Sequence, residues 1–274
     1  ANGNTVYIEK YGAVVHLNLM DFSVINEKVN MIKSPVRRIF KDNSDNLWFI
    51  SSNDVQIKPA TINQLSLPYS SDYNIKKHFR NGFFVGTERG VLSHTSQGFN
   101  IVGSPADYGY VITDIAVIGD SLFIASNKGL TEYNYKNNET VKIYDNYVIA
   151  LTVKSGELYV STSFEGVFTY KNDIFATLHD VNSLLHNNEI LDVKFIDNDM
   201  YVLSAEGFYI KDKLQRIGYH GNEIGIVVDA VKLNGSVYIA TFGNGLYKFA
   251  NGELQRLNSP QSIIDLQEFN SQLY

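Results

Sequence analysis

The sequence predicts an all-β protein, a seven-bladed β-propeller that spans residues 1–274 as a single domain and is closed by N- and C-terminal segments sharing one blade. Three observations carry that prediction. Val36 to Val55 reads as two short strands about a polar turn, with Leu47-Trp48-Phe49-Ile50 as the second strand. Aligned on Trp48, a bulky residue recurs at Tyr7, Phe84, Phe123, Tyr159, Tyr201, Tyr238 and Tyr274, a spacing of about 36 to 42 residues that belongs to propeller blades. Finally, the last apolar strand, Ile263 to Leu266, stands at the C-terminus while the first unit lacks an inner strand of its own. Pairing the two ends closes the ring and removes exposed sheet edges.

Each unit then follows in order. Thr5 to Ile8 and Gly12 to Leu17 form the first, Val36 onward the second, and Ile75 to Leu92 the third. Later units repeat the form at Leu122 to Leu130, Leu158 to Val167, Met200 to Phe208 and Val237 to Leu246, with inner strands at Ile112 to Val117, Val148 to Val153, Ile190 to Phe195 and Val227 to Val231. Gly stands at the turn in most units because a tight hairpin needs positive φ, and Asn53-Asp54 takes that place in the unit with the only Trp. Trp48 is expected to be structural, since its equivalents are Tyr or Phe.

Composition narrows the function. There are no cysteines, so disulfides and thiolate chemistry are excluded, and a net charge of −6 argues against nucleic acid as partner. No apolar run approaches the roughly 20 residues of a membrane span. The chain begins Ala1-Asn2-Gly3 with neither initiator Met nor signal peptide, as a processed extracytoplasmic segment does.

Two groups of residues are candidates for binding. Asp114, Asp192, Asp229 and Asp265 stand at equivalent places on inner strands, where Arg38 and Ala150 break the series. They form either a polar ring at the pore mouth, able to hold a small ligand or a cation, or a set of acceptors for backbone N–H groups of neighbouring blades. The second group lies at the hairpin turns: Tyr11, Arg89, Lys128, Phe164, Glu165, Glu206 and Phe242, aromatic and charged residues on one rim that either bind or are plain solvated turns. Asp42 to Asn46 and Asp197-Asn198-Asp199 lack the Gly and Glu of an EF-hand loop and read as turns. The His spacing offers no zinc site, no cofactor fingerprint or catalytic motif is present, and no catalytic residue is assigned.

Val36 to Trp48, through Asp42, Asn46, Leu47 and Trp48, resembles the regulator-propeller repeat of bacterial two-component sensors. Asn182 to Ile190 is similar to the lead-in of that repeat, with His186 where Pro is usual. The resemblance implies a non-catalytic, periplasmic or extracellular sensing module; family members usually join two such propellers to an immunoglobulin-like domain, a membrane helix and an output domain. Its ligand would be a small molecule, with saccharides among the candidates, or a protein partner on one propeller face. A scaffold propeller is the alternative reading, and a propeller lyase or hydrolase using the central carboxylates is the third.

Overall fold

The computed structural model describes the backbone of residues 5–10, 13–18, 24–25, 36–41, 47–51, 54–58, 65–66, 73–79, 82–87, 89–95, 98–221, 223–269 and 272–273. Side chains are described for residues 84–87, 89–93, 99–221, 223–268 and 273. Tyr11 and the Asp42 to Asn46 turn therefore lie outside the described residues. For Arg38 and Trp48 only the strand backbone is described.

Two compact units divide the chain, residues 1–70 with 220–274 and residues 71–219. In the first unit, β1 (Thr5–Lys10), β2 (Ala13–Asn18) and β3 (Val24–Ile25) form a three-stranded antiparallel sheet. A four-stranded sheet follows from β4 (Val36–Lys41), β5 (Leu47–Ser51), β6 (Asp54–Lys58) and β7 (Leu65–Ser66).

The second unit stacks four-stranded sheets in chain order. They are β8 (Tyr73–Phe79), β9 (Gly82–Thr87), β10 (Gly90–Thr95) and β11 (Gly98–Ile101); β12 (Ile112–Ile118), β13 (Ser121–Ser126), β14 (Gly129–Asn134) and β15 (Thr140–Tyr144); and β16 (Val148–Lys154), β17 (Glu157–Thr162), β18 (Val167–Lys171) and β19 (Ile174–Thr177). The last sheet comprises β20 (Ile190–Ile196), β21 (Asp199–Ser204), β22 (Gly207–Lys211) and β23 (Ile217–Gly221). One-turn helices α1 (Pro105–Tyr108) and α2 (His179–Asn182) sit in the connections. Back in the first unit, β24 (Ile226–Leu233), β25 (Ser236–Phe242), β26 (Gly245–Ala250) and β27 (Glu253–Arg256) form another four-stranded sheet, and β28 (Glu268–Phe269) pairs with β29 (Gln272–Leu273).

Every sheet from β8 to β27 is a meander of adjacent antiparallel strands, as the repeat predicts. The second strands, such as Leu122-Phe123-Ile124-Ala125, are buried on both faces because a sheet lies against each side. One apolar cluster joins Val91 and Val102 to Ile112, Ile115, Leu122 and Ile124 across two sheets. Another joins Ala116, Phe123 and Leu130 to Val148, Leu151, Leu158 and Val160. The positions aligned with Trp48 belong to these contacts: Phe123 meets Tyr170 edge to face at 5.4 Å, and Tyr159 meets Phe195 at 4.8 Å.

Gly at the hairpin turns has the conformation expected of it. Gly129 has φ of 107° and lies so close to the next connection that an added Cβ would stand 1.9 Å from the Tyr144 carbonyl oxygen. No L residue fits there.

The C-terminal segment differs from the expected strand. Ile263 to Leu266 is not in a regular strand; Ser262 forms an isolated antiparallel bridge with Phe242, the Ile263 N–H donates to the Thr241 carbonyl at 3.0 Å, and Glu268–Phe269 pairs with Gln272–Leu273. Its apolar side chains are nevertheless fully engaged, with Ile263, Leu266 and Leu273 packed on Leu233, Ala240, Leu246 and Leu257. β29 lies beside β1 in the same unit.

Candidate functional site

A register shift interrupts each inner strand one residue before the Asp-series position: between Val36 and Arg38, Tyr73 and Ile75, Ile112 and Asp114, Val148 and Ala150, Ile190 and Asp192, and Val227 and Asp229. A bulge of this kind turns the following side chain and frees backbone N–H groups from the ladder. The Asp carboxylates take up those groups. Asp114 Oδ1 accepts the Ile115 N–H at 2.8 Å, and its Oδ2 accepts the Leu151 N–H of the next sheet, also at 2.8 Å. Asp229 repeats the arrangement with the Ala230 N–H at 2.7 Å and the Leu266 N–H at 2.8 Å. The second donor follows Ala150 in one case and Asp265 in the other, so Asp265 occupies the equivalent place although its segment is not a strand. Asp114 and Asp229 are 8% and 2% exposed, which leaves their oxygens inside the packing.

Asp192 is set differently. Its Oδ1 accepts the Val193 N–H at 2.7 Å and the Thr152 hydroxyl at 3.3 Å, while its Oδ2 stands 3.3 Å from Lys194 Nζ. This side chain keeps 21% of its surface in solvent.

The turns are built around a hydroxyl at or next to the end of the strand that enters each of them. Thr87, Ser126, Thr162 and Ser204 end their strands and Thr241 stands one residue before the end of its own; the hydroxyls of Thr87, Thr162, Ser204 and Thr241 donate across the turn to the carbonyls of Gly90, Gly166, Gly207 and Gly245, while that of Ser126 donates to the Tyr108 carbonyl at 2.6 Å. The same oxygens accept the N–H of Arg89, Lys128, Glu165 and Glu206 in the first four. A Ser or Thr three or four residues ahead of the repeated glycine was the available signal.

In the second unit these turns and the lead-ins to the inner strands form one face. Gly166 N–H donates to the Asn188 carbonyl of the next lead-in at 3.2 Å, and Asn127 N–H to the Val111 carbonyl at 3.2 Å. The Thr162 to Gly166 turn is one residue longer than its neighbours and carries Phe164 at 78% exposure. Glu165 is held by both oxygens: the Tyr144 hydroxyl donates to Oε2 at 2.7 Å and the Asn146 amide to Oε1 at 2.7 Å. Burial, followed by the Glu165 hydrogen bond, pushes the Tyr144 phenol up to about 12. Tyr147, next to Asn146, is 40% exposed. The next sheet repeats the contact more loosely, with the Asn187 amide 3.5 Å from Glu206 Oε1. Tyr144, Asn146, Tyr147 and Asn187 escaped the sequence reading, which looked at the turns and not at what faces them.

Arg89 and Lys128 project from the preceding turns of the same unit, and the Lys128 carbonyl accepts the Lys142 ammonium. Phe242 occupies the longer Thr241 to Gly245 turn of the first unit and is 54% exposed. There Asn244 donates to the Ile224 carbonyl at 2.9 Å. Among the described residues, no group of three or more His, Cys, Asp or Glu side chains is placed to hold a metal ion, and no helix is long and apolar enough to cross a membrane.

No family model and no curated protein matches the chain. Its structure is similar to the extracellular domain of the hybrid two-component system BT4673 of B. thetaiotaomicron, with a TM-score of 0.70 and 15% identity over 98% of this chain and 37% of that one. It is similar also to the extracellular domain of the hybrid two-component system BT3049 of that organism, with a TM-score of 0.62 and 14% identity over 83% of this chain and 36% of that one. The WD40 β-propeller domain of Doa1 aligns with a TM-score of 0.61 and 11% identity over 83% of both chains. The chain thus spans little more than a third of the two-component domains, and the likeness establishes a β-propeller fold. The resemblance read from Val36 to Trp48 and the structural similarity agree on the propeller fold.

Proposed function

We propose that this chain is an extracytoplasmic sensing propeller of a bacterial signalling protein, non-catalytic, which binds its ligand on the face made by the hairpin turns and lead-in loops. The observation that carries the reading is the fold similarity, over 98% of the chain, to the extracellular domain of a hybrid two-component system. Seven blades in one ring, with the terminal segments sharing a blade, belong to the same proposal and are supported by β29 lying beside β1. Among the candidate residues, the geometry favours Phe164, Glu165, Glu206, Arg89, Lys128 and Phe242 over the inner-strand carboxylates. Asp114 and Asp229 are spent on backbone N–H groups, whereas Phe164 leaves a ring in solvent that burial would stabilise by about 2 kcal/mol.

The test is a binding panel of oligosaccharides, amino acids and short peptides, read by calorimetry on the wild type, Phe164→Ala and Asp192→Asn. A ligand lost with Phe164→Ala and kept with Asp192→Asn supports the turn face. The reverse pattern moves the site to the inner strands, and a chain that binds a large protein but nothing in the panel is a scaffold.

A further inference from the structure

Several acidic side chains of the second unit meet a cation, whereas others are held by neutral donors, as Glu132 is by the Ser121 and Tyr170 hydroxyls and Glu139 by the Asn137 amide. Asp120, Glu157, Asp180 and Asp212 each meet a cation, respectively Lys136 at 2.7 Å, Lys171 at 3.6 Å, Lys211, and Arg216 at 2.6 Å. Glu165 and Glu206 have no ion-pair partner among the described residues. They are oriented by neutral donors instead, the Tyr144 hydroxyl and the Asn146 and Asn187 amides. Fixing an exposed carboxylate costs side-chain entropy, and neutral donors leave its charge intact, so the arrangement preserves a negative site in a set geometry.

Two further observations say what would meet that charge. The ring at 78% exposure, Phe164, is the immediate neighbour of Glu165, and Tyr147 at 40% exposure is the neighbour of Asn146 on the other side of the contact. Aromatic faces and a carboxylate together accept a cation, the rings through their quadrupole and the carboxylate through paired hydrogen bonds. A planar guanidinium satisfies both, since it stacks on a ring while directing its N–H groups sideways. In the same turn, the buried Ser163 hydroxyl has no hydrogen-bond partner among the described residues, although the side chain is 6% exposed. The turn at rest thus holds an unused polar group that a bound partner's donors or a small shift of the turn can satisfy.

We infer that the Phe164-Glu165 turn, with Tyr147 beside it, recognises an arginine side chain on an exposed segment of a protein partner. Glu206, on the next sheet, presents a second carboxylate to the same segment. This inference rests on the turn face being the binding face and adds the chemistry of the occupant. Charge complementarity carries the choice of partner: the chain has a net charge of −6, and of the Phe164 and Phe242 turns that of Phe164 is the one with a carboxylate beside the ring.

The experiment titrates an acetylated and amidated Gly-Arg repeat hexapeptide, and its isosteric citrulline counterpart, into the full chain by calorimetry. Glu165→Gln and Phe164→Ala should each weaken the arginine peptide at least about tenfold, and citrulline should bind no better than those variants. Glu139→Gln, which removes an exposed carboxylate from the far end of its sheet, should stay within about twofold of wild type. Equal loss with Glu139→Gln, equal binding of the citrulline peptide, or no binding of the arginine peptide at millimolar concentration overturns the inference. Free arginine amide that binds as tightly as the hexapeptide overturns the protein partner. Phe164→Ala touches an exposed tip, so a folding failure in Glu165→Gln still leaves a decisive variant. If the arginine peptide fails while another ligand depends on Phe164, the binding face stands and only this occupant falls.

Discussion

Asp114 offers the sharpest test of how neighbouring sheets are joined. Its carboxylate is nearly enclosed and receives two N–H donors, one from its own strand and one from Leu151, 37 residues away. Hydrogen bonds to a charged group contribute about 1.5–3 kcal/mol each, so Asp114→Ala should cost roughly 3–6 kcal/mol. Asp114→Asn keeps one acceptor and turns a donor toward the other N–H, which predicts about half of that loss. Asp192, partly in solvent, can exchange its partners for water, and Asp192→Asn should cost less than about 1 kcal/mol. Urea unfolding gives the free energies, and amide hydrogen exchange gives the location. In Asp114→Ala the Leu151 amide should exchange faster, relative to the global rate, than amides of β17. A loss below about 1 kcal/mol in the alanine variant, or unchanged protection at Leu151, would refute the view that the carboxylate joins the sheets.

The remaining expectations can be checked on the same material. Gly129→Ala should abolish folding, since its Cβ meets the Tyr144 carbonyl, whereas Gly119→Ala, with open space around it, should cost only the strain of φ near 61°. Phe123→Ala should lose about 3–5 kcal/mol in denaturant unfolding, and Phe123→Tyr should be tolerated better. Burial holds the His220 imidazole below its ordinary value, beside Phe249 at 4.9 Å. The unfolded chain therefore takes up the proton first; stability is full above the unfolded value and is lost as pH falls through the folded one. Melting between pH 7 and 5 should drop more steeply in the wild type than in His220→Phe. Removing residues 262–274 uncovers Leu233, Ala240, Leu246 and Leu257, and the truncated chain should aggregate or lose cooperative unfolding.

The strands were legible because their signal is local. A period marked by Phe123, Tyr159, Tyr201 and Tyr238, with glycine at fixed distance, specifies hairpins through side-chain volume and permitted φ, and both are properties of single residues. The register shifts ahead of Asp114, Ala150, Asp192 and Asp229 left only an indirect trace, the recurrence of Asp before an apolar residue. That trace allowed two opposite readings, a ring of free charge or a set of backbone acceptors. Only the positions of Leu151 and Leu266 N–H separate them, and these depend on how one sheet lies against the next. The same holds for Glu165. Its sequence neighbours do not disclose that Tyr144 and Asn146 hold it, because those contacts span 21 and 19 residues. The strand expected at Ile263 to Leu266 has the right apolar residues but meets its neighbour only at its start, by the Ser262 bridge to Phe242 and the Ile263 N–H on the Thr241 carbonyl.

The carboxylate series lapses twice within the second unit, at Ile75 and at Ala150. The Ala150 methyl group accepts nothing, so the sheet of β16 to β19 sends no Asp oxygen to the Val193 N–H of its neighbour. A neutral hydroxyl bridges the same level instead, Thr152 to Asp192 at 3.3 Å. The same two sheets are joined at the lead-in end of these strands by the Gly166 N–H on the Asn188 carbonyl, beside the Phe164 turn. Slow fluctuations should therefore be larger between β16 and β20 than between β12 and β16, where Asp114 bonds the Leu151 N–H, and a molecule gripping the Phe164 turn would pull on the looser of these two seams.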